Sequence, residues 1–247
     1  LYSLLVKPAP NDPNRVAERR EIALMCQEMK LMMQMVRGTA YRRVVERIAN
    51  EQLGWIAGYG ATDPALTIAL VIQQAARLEH SLYVMFIDLA TYFPRIDRVA
   101  ARIADLRMGL PPEVCDLVDA IFPPTEGASV QCQYDSAAGL GKPFSNHMGR
   151  LMGDVNAPDQ AKIFLHSVLV AIRAVASGVP LWGMTQTDLD GYRKAVVQAA
   201  YADDWAAVSL SAAEMAKFWD IWLPWSILAG AKLGVKGNLK TVVTGVA

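Results

Sequence analysis

Apolar residues fall in two alternating patterns along this chain: stretches where they recur every three or four positions, and short unbroken runs bounded by turn residues. The first pattern reads as amphipathic helix and the second as buried strand. Asp12-Pro13 offers a helix start, since Pro is tolerated in the first turn, and the Met and Leu positions from Ile22 to Val36 continue it. That Met stripe reads as core packing, because the flexible thioether fills irregular gaps. A second helix is predicted over about Ala40 to Asn50. Asp63-Pro64 supplies a cap and first turn for a helix reaching about His80. Asp97 caps a short helix to Met108, Pro111-Pro112 opens another, and Asn156 with Pro158 opens a long one through Ala176. A last helix is predicted over about Ala212 to Ala229. Strands are predicted over Ser81–Asp88, over Gly127–Tyr134 in a hairpin whose turn contains Gly139 and Gly141, and from Leu233 onward. Gly178–Lys194, rich in Gly, Thr and Asp, is expected to be a surface insertion. The fold class is therefore α+β.

Two of the apolar runs carry acids where packing gives no reason for them. Ser81-Leu82-Tyr83-Val84-Met85-Phe86-Ile87 ends on Asp88, and Leu89 to Pro94 then runs into a turn. Further on, Tyr201-Ala202-Asp203-Asp204 separates Ala195–Ala200 from Trp205–Val208, which reads as strand, tight turn and strand. A solvated hairpin turn is the plainer reading of that tetrapeptide, because Asp is a favoured turn residue. With Asp88 set the same way, the sharper reading is that two strands deliver three carboxylates to one place. Carboxylates held at buried strand ends with unrelieved charge are costly unless a cation joins them. Mg²⁺ suits such a site, since it takes carboxylate oxygens and leaves room for substrate phosphates.

Composition narrows the surroundings. At 247 residues and 53% hydrophobic the chain can bury a sizeable core. The most apolar stretch, Phe218 to Gly230, is interrupted by Asp220 and Pro224, so no membrane span is expected. No basic-then-apolar leader is seen, and Cys26, Cys115 and Cys132 are odd in number and far apart, which points to reduced thiols in an intracellular protein. No Cys-x-x-Cys or His-x-x-x-His spacing offers a zinc site, and His80, His147 and His166 are expected to be structural. Lys and Arg balance Asp and Glu at 24 each, which counts against a nucleic-acid binder at first sight. The basic residues are unevenly spread, however: from Lys7 to Arg47 nine of them face five acids. That region reads equally as a phosphate-facing surface or as a solvated, salt-bridged one.

The acidic motifs, in this order, resemble those of reverse transcriptases, especially of non-LTR retrotransposons and group II introns. The resemblance follows the chain almost end to end. Leu4-Leu5-Val6-Lys7-Pro8 with Arg20-Glu21-Ile22 is similar to the opening of the family's fingers, and Gln52-Leu53-Gly54-Trp55 to its Gln-x-Gly-Phe segment. Phe86-Ile87-Asp88 through Phe93 resembles the first catalytic motif, and Gly149–Pro158 the template-gripping Gly-x-x-Gln-Gly motif. Tyr201–Asp204 resembles the catalytic hairpin, and Gly234–Thr241 the Asn-x-x-Lys-Thr segment after it. Met152 stands where the family has Gln, Ala157 where Ser is common, Pro94 where an Asp follows the aromatic, and Glu21 where a Pro is usual. A thioether cannot make the hydrogen bonds of an amide, so Met152 bears on template grip and activity.

The resemblance implies a right-hand polymerase, with fingers over about 1–80 and 105–148 and an antiparallel palm sheet with packed helices over about 81–104 and 149–247. No thumb follows the last palm motif, so the chain reads as a fragment of a longer protein with a thumb and other domains elsewhere. The implied activity is RNA-directed DNA synthesis with two Mg²⁺ ions, Mn²⁺ being a substitute. Its partners are an RNA template, a DNA or RNA primer and dNTPs. Asp88 and Asp203 are implied to bridge both ions, with Asp204 supporting them. Phe93 is implied to lie under the incoming sugar and Tyr201 beneath the primer end. Gly149 and Gly153 are implied to let the backbone approach template and nucleotide closely, Met152 to bear on template grip, Arg20 and Lys7 to meet the triphosphate, and Lys240 to meet the pyrophosphate side or donate a proton. An aromatic plugging the core is the plainer role for Phe93. Two other functions compete. A decayed or domesticated RNA-binding scaffold is favoured by Met152 and opposed by the intact aspartates. An RNA-directed RNA polymerase is disfavoured by Phe93, where that class offers a polar acid near the sugar, and by Ala202, where it has Gly.

Overall fold

Strand β3 (Leu82–Asp88) lies at the middle of what the first acidic run builds. The computed structural model describes residues 2–6, 19–124, 130–136, 139–146, 148–151, 153–181, 195–231, 235–236, 238–239 and 242–246. They form a mixed α+β chain in two compact units, residues 1–47 with 93–161, and residues 48–92 with 162–247.

In the second unit β3 belongs to a four-stranded antiparallel sheet. Its neighbours are β10 (Val242–Val246) on one side and β9 (Asp204–Ser209) on the other, and β8 (Gln198–Tyr201) pairs with β9. Helix α3 (Thr62–Arg77) covers part of one face: Ile68, Val71 and Ala75 pack with Leu82, Val84, Ala199, Ala206 and Val208. Burying each large aliphatic side chain there contributes about 1.5–3 kcal/mol. Helix α8 (Ala212–Leu228) starts at Ser211, whose hydroxyl accepts from the Glu214 amide, and buries Met215, Phe218 and Trp222. Pro224 sits inside this helix. The predicted insertion is not all surface: Val179 is buried in the α3 core and exchanges backbone hydrogen bonds with Val196. A strand-like apolar residue that finds a backbone partner belongs to the sheet margin, whatever the polarity of its neighbours; residues 182–194 lie outside the described residues. His166 is structural, its Nδ1 accepting from the Ala49 amide at 2.9 Å.

In the first unit β1 (Tyr2–Val6) pairs antiparallel with β2 (Arg19–Ala23) and parallel with β5 (Tyr134–Ser136), and β5 pairs with β6 (Gly139–Leu140). A separate ladder joins β4 (Val130–Cys132) to β7 (Phe144–Asn146). Gly139 thus pairs with Ser136 inside a strand and does not lie in the turn. The predicted helix through Ile22 is also corrected. Residues 19–23 are a strand, because β1 satisfies their backbone groups across a ladder that local periodicity cannot reveal. Helix α1 begins only at Gln27 and runs to Val36, continuing through a π-helical turn, Arg37–Tyr41, into α2 (Arg42–Val45). The two helices expected here are one interrupted rod. The π turn brings both Ala40 and Tyr41 to buried positions, and the Tyr41 hydroxyl donates to Asp105 Oδ2 at 3.1 Å. Helix α5 (Arg98–Arg107) follows the Asp97 cap, which accepts from the Ala100 amide at 2.7 Å, and α6 (Pro112–Ile121) begins on its proline. Helix α4 (Tyr92–Arg95) and the long α7 (Ala157–Val175) complete the helices that bear on the site. Among the described residues Cys26 and Cys115 are free thiols, and no helix is long and apolar enough to cross a membrane.

Candidate active site

The register of the β3–β9 ladder sets Asp88 directly opposite Asp204, with Ile87 opposite Trp205. Directly opposed residues of an antiparallel pair bring their Cβ atoms to about 4.5–5.5 Å and share a face. Leu82 and Val84 hold that face against α3; two residues on, Phe86 is 39% exposed and Asp88 half-buried, so the cover ends where the acids begin. In the β8–β9 hairpin Tyr201 pairs with Asp204, leaving Ala202 and Asp203 as a two-residue turn. The Leu89 amide reaches the Asp203 carbonyl at 3.4 Å, tying the end of β3 to the turn.

The tip is strained. Ala202 has φ +61°, the left-handed region that hairpin turns fill with Gly, Asn or Asp, and here it costs about 1–2 kcal/mol. Gln52, 1% exposed, meets it. Its Nε2 donates to the Ala202 carbonyl at 3.1 Å, and its Oε1 accepts from the Ala202 amide at 3.0 Å and the Gly54 amide at 3.0 Å. A Cβ on Gly54 would lie 2.4 Å from the Ala202 nitrogen.

Asp88 and Asp203 are half-buried, Asp204 is exposed, and each has an interaction of its own. The expectation of buried, unrelieved charge is therefore corrected: the acids stand at the open end of the sheet face, where solvent shares their field. Tyr92 is buried beside them, and its phenol is pushed well above the usual range by burial and then by the Asp203 charge. It stays protonated and can act only as a neutral hydroxyl near that carboxylate. Sequence reasoning missed both Tyr92 and the role of Gln52. Among the described residues no group of three or more His, Cys, Asp or Glu converges as a metal cluster. Asp88 and Asp204 nonetheless set hard carboxylate oxygens on adjacent strands, donors that could hold a cation such as Mg²⁺, which needs only one or two carboxylates when phosphates complete its shell.

In the first unit Phe93 is half-buried, and its carbonyl accepts from the Arg150 amide at 2.8 Å. Gly149 has φ +73°, and a Cβ there would lie 2.3 Å from Pro94 backbone atoms. Arg98, buried, donates to the carbonyls of Gly149, Met148, Asn146 and Pro123, so the strand exit before Gly149 is fixed by one guanidinium. Gly153 is exposed at φ +114°. Tyr201 is half-buried at the end of β8. Arg20 lies in β2 opposite Leu5, and Met152, Lys7 and Lys240 lie outside the described residues.

No family model and no curated protein matches this chain. Solved structures do. Apo telomerase from Candida tropicalis, truncated from its C-terminal domain, superposes with a TM-score of 0.54 at 11% identity over 89% of this chain and 40% of that one. Telomerases from Candida albicans and Candida tropicalis, each in complex with the TWJ fragment of telomeric RNA, both give 0.51, at 10% and 12% identity over 88% and 89% of this chain. The likeness is one of fold: over most of its length the chain shares the fold of these telomerases. It spans 33–40% of the length of these telomerases.

Proposed function

We propose that this chain is the polymerase region of an RNA-directed DNA polymerase of a mobile retroelement. The observation that carries the reading is the β3–β9 register, which sets Asp88 against Asp204 with Asp203 on the adjoining turn. In the reaction a primer 3′-hydroxyl attacks the α-phosphorus of a dNTP, a new P–O bond forms, and pyrophosphate leaves in line. Asp88 and Asp203 would hold two Mg²⁺ ions, with Asp204 beside them; when bound, these supply charge neutralisation and a more acidic primer hydroxyl. Tyr92 keeps a protonated hydroxyl next to Asp203. Phe93 bars the 2′-hydroxyl of a ribonucleotide, and Tyr201 supports the primer end. Gly153 and Met152 meet template and nucleotide, Arg20 and Lys7 the triphosphate, and Lys240 the leaving pyrophosphate. Residues about 81–104 and 149–247 act as palm, and about 1–80 and 105–148 as fingers. RNA as a partner agrees with neighbours solved with an RNA fragment, and the basic stretch from Lys7 to Arg47 suits a nucleic-acid face.

Primer extension on an RNA template with Mg²⁺ tests this, comparing dNTPs with rNTPs. Incorporation of dNTPs that disappears in Asp203→Asn, with the melting temperature kept, is the expected result. A fully active Asp203→Asn enzyme overturns the carboxylate assignment. A folded, RNA-binding wild type that incorporates nothing gives the scaffold reading, which Met152 favours.

A further inference from the structure

We infer that Gln52 is the positioning residue of the hairpin tip: its buried amide holds Ala202 in the left-handed conformation and thereby aims Asp203. The inference rests on the reading of Asp203 as catalytic, although the clamp itself does not.

The segment bearing Gln52 is laced to β8 on both sides. The Ala200 amide donates to the Glu51 carbonyl at 2.8 Å, and the Leu53 amide donates to the Ala200 carbonyl at 2.9 Å. Glu51 is in turn ion-paired to Arg173 of α7. Gln52 therefore sits opposite Ala200 by backbone pairing, and its side chain extends along the hairpin to the turn two residues on. There it treats the Ala202 residue as a neighbouring strand would, one donor to its carbonyl and one acceptor to its amide. Only one orientation of the side-chain amide serves, since the reverse would oppose two donors and two acceptors. The Ala202 carbonyl belongs to the peptide that enters Asp203. Fixing that peptide plane fixes ψ of Ala202 and restricts φ of Asp203, and so the direction of the Asp203 Cα–Cβ bond. Gly54 completes the lock, because no larger residue lets the segment approach the Ala202 nitrogen. A buried glutamine bridging backbone groups 150 residues away could serve stability alone. What exceeds that is its target: the one strained residue of the hairpin, adjacent to the acid the chemistry depends on.

Two measurements separate the clamp from the activity. Hydrogen exchange at the Ala202 and Gly54 amides should accelerate at least tenfold in Gln52→Ala; unchanged protection overturns the clamp whether or not the protein polymerises. In steady-state dNTP incorporation, Gln52→Ala should lose about 10²-fold in kcat with KM for dNTP little changed, the scale of a misplaced reacting group. Ala202→Gly, which adopts the turn without strain, should cut the effect of Gln52→Ala to under about tenfold. Gln52→Glu should track pH: ionised, it sets an acceptor against the Ala202 carbonyl, whereas the neutral acid can donate. Its activity relative to wild type should therefore rise as pH falls. Wild-type kcat in Gln52→Ala, or an equal loss with and without Ala202→Gly, overturns the positioning role. A wild type without incorporation overturns the polymerase reading, and with it this role, while leaving the clamp to the exchange data.

Discussion

At the residue scale, two positions are governed by what a single carbon would meet. Gly149 combines a positive φ with 2.3 Å of clearance to the Pro94 backbone, so Gly149→Ala must distort both the turn and the α4 entry. Left-handed strain and overpacking together predict a loss of about 2–4 kcal/mol, read as a lower midpoint in urea. Close approach to Pro94 is by itself a reason for that glycine. The Phe93 carbonyl accepts from the Arg150 amide, which fixes the backbone that carries its half-buried ring. Phe93→Ala is expected to raise incorporation of rNTPs relative to dNTPs by at least about tenfold, a scale in keeping with one lost steric contact. Unchanged discrimination in a competition assay would remove Phe93 from the gate.

At the scale of elements, the π turn between α1 and α2 has a partner in α5 and α7. Tyr41, Asp105 and Gln160 share hydrogen bonds of 2.6–3.1 Å in a setting where Arg150 lies over the Phe122 ring. Burial pushes the Asp105 carboxyl up to about 6, against the opposing pull of Arg150 and the bonds from Gln160 and Tyr41. An acid whose pKa is higher folded than unfolded holds its proton more tightly in the native state. Its contribution is therefore fully present below about pH 3.9 and falls as pH rises toward 6. Asp105→Asn keeps an acceptor for Tyr41 and never ionises. Relative to wild type the variant should gain up to about 3 kcal/mol between pH 4 and pH 7, measured by chemical denaturation at both. A constant difference across that range would show that Asp105 titrates normally.

At the scale of the whole chain, what the sequence revealed was chemistry that is local. The acidic hairpin was legible because a two-acid tip between apolar flanks needs only neighbours to be read, and α5, α6 and α7 announced themselves by caps and prolines. What stayed hidden was pairing between distant segments. Ile22 reads as helical until β1 is laid beside it, Val179 reads as loop until Val196 pairs with it, and Gln52 reads as one letter of a motif until Ala202 arrives 150 residues later. The opposition of Asp88 and Asp204 belongs to the same class, since a one-residue slip would put the two on opposite faces. Tyr92 carried no signal at all beyond its place before Phe93. Likeness to telomerase extends over most of the chain at 10–12% identity, so one fold is built here from almost entirely different side chains.

The bond from Gln52 to Ala202 also says something about time. A hairpin with a two-residue turn is among the quickest structures a chain can make, forming in about 1–10 μs. Here the turn carries about 1–2 kcal/mol of backbone strain, which a segment from the first quarter of the chain offsets by docking along β8. Contacts of such long sequence separation form late, after loop closure has been met elsewhere. The geometry of a local hairpin thus depends on a contact 150 residues away in sequence, and a chain lacking that contact would leave the acidic tip without its clamp.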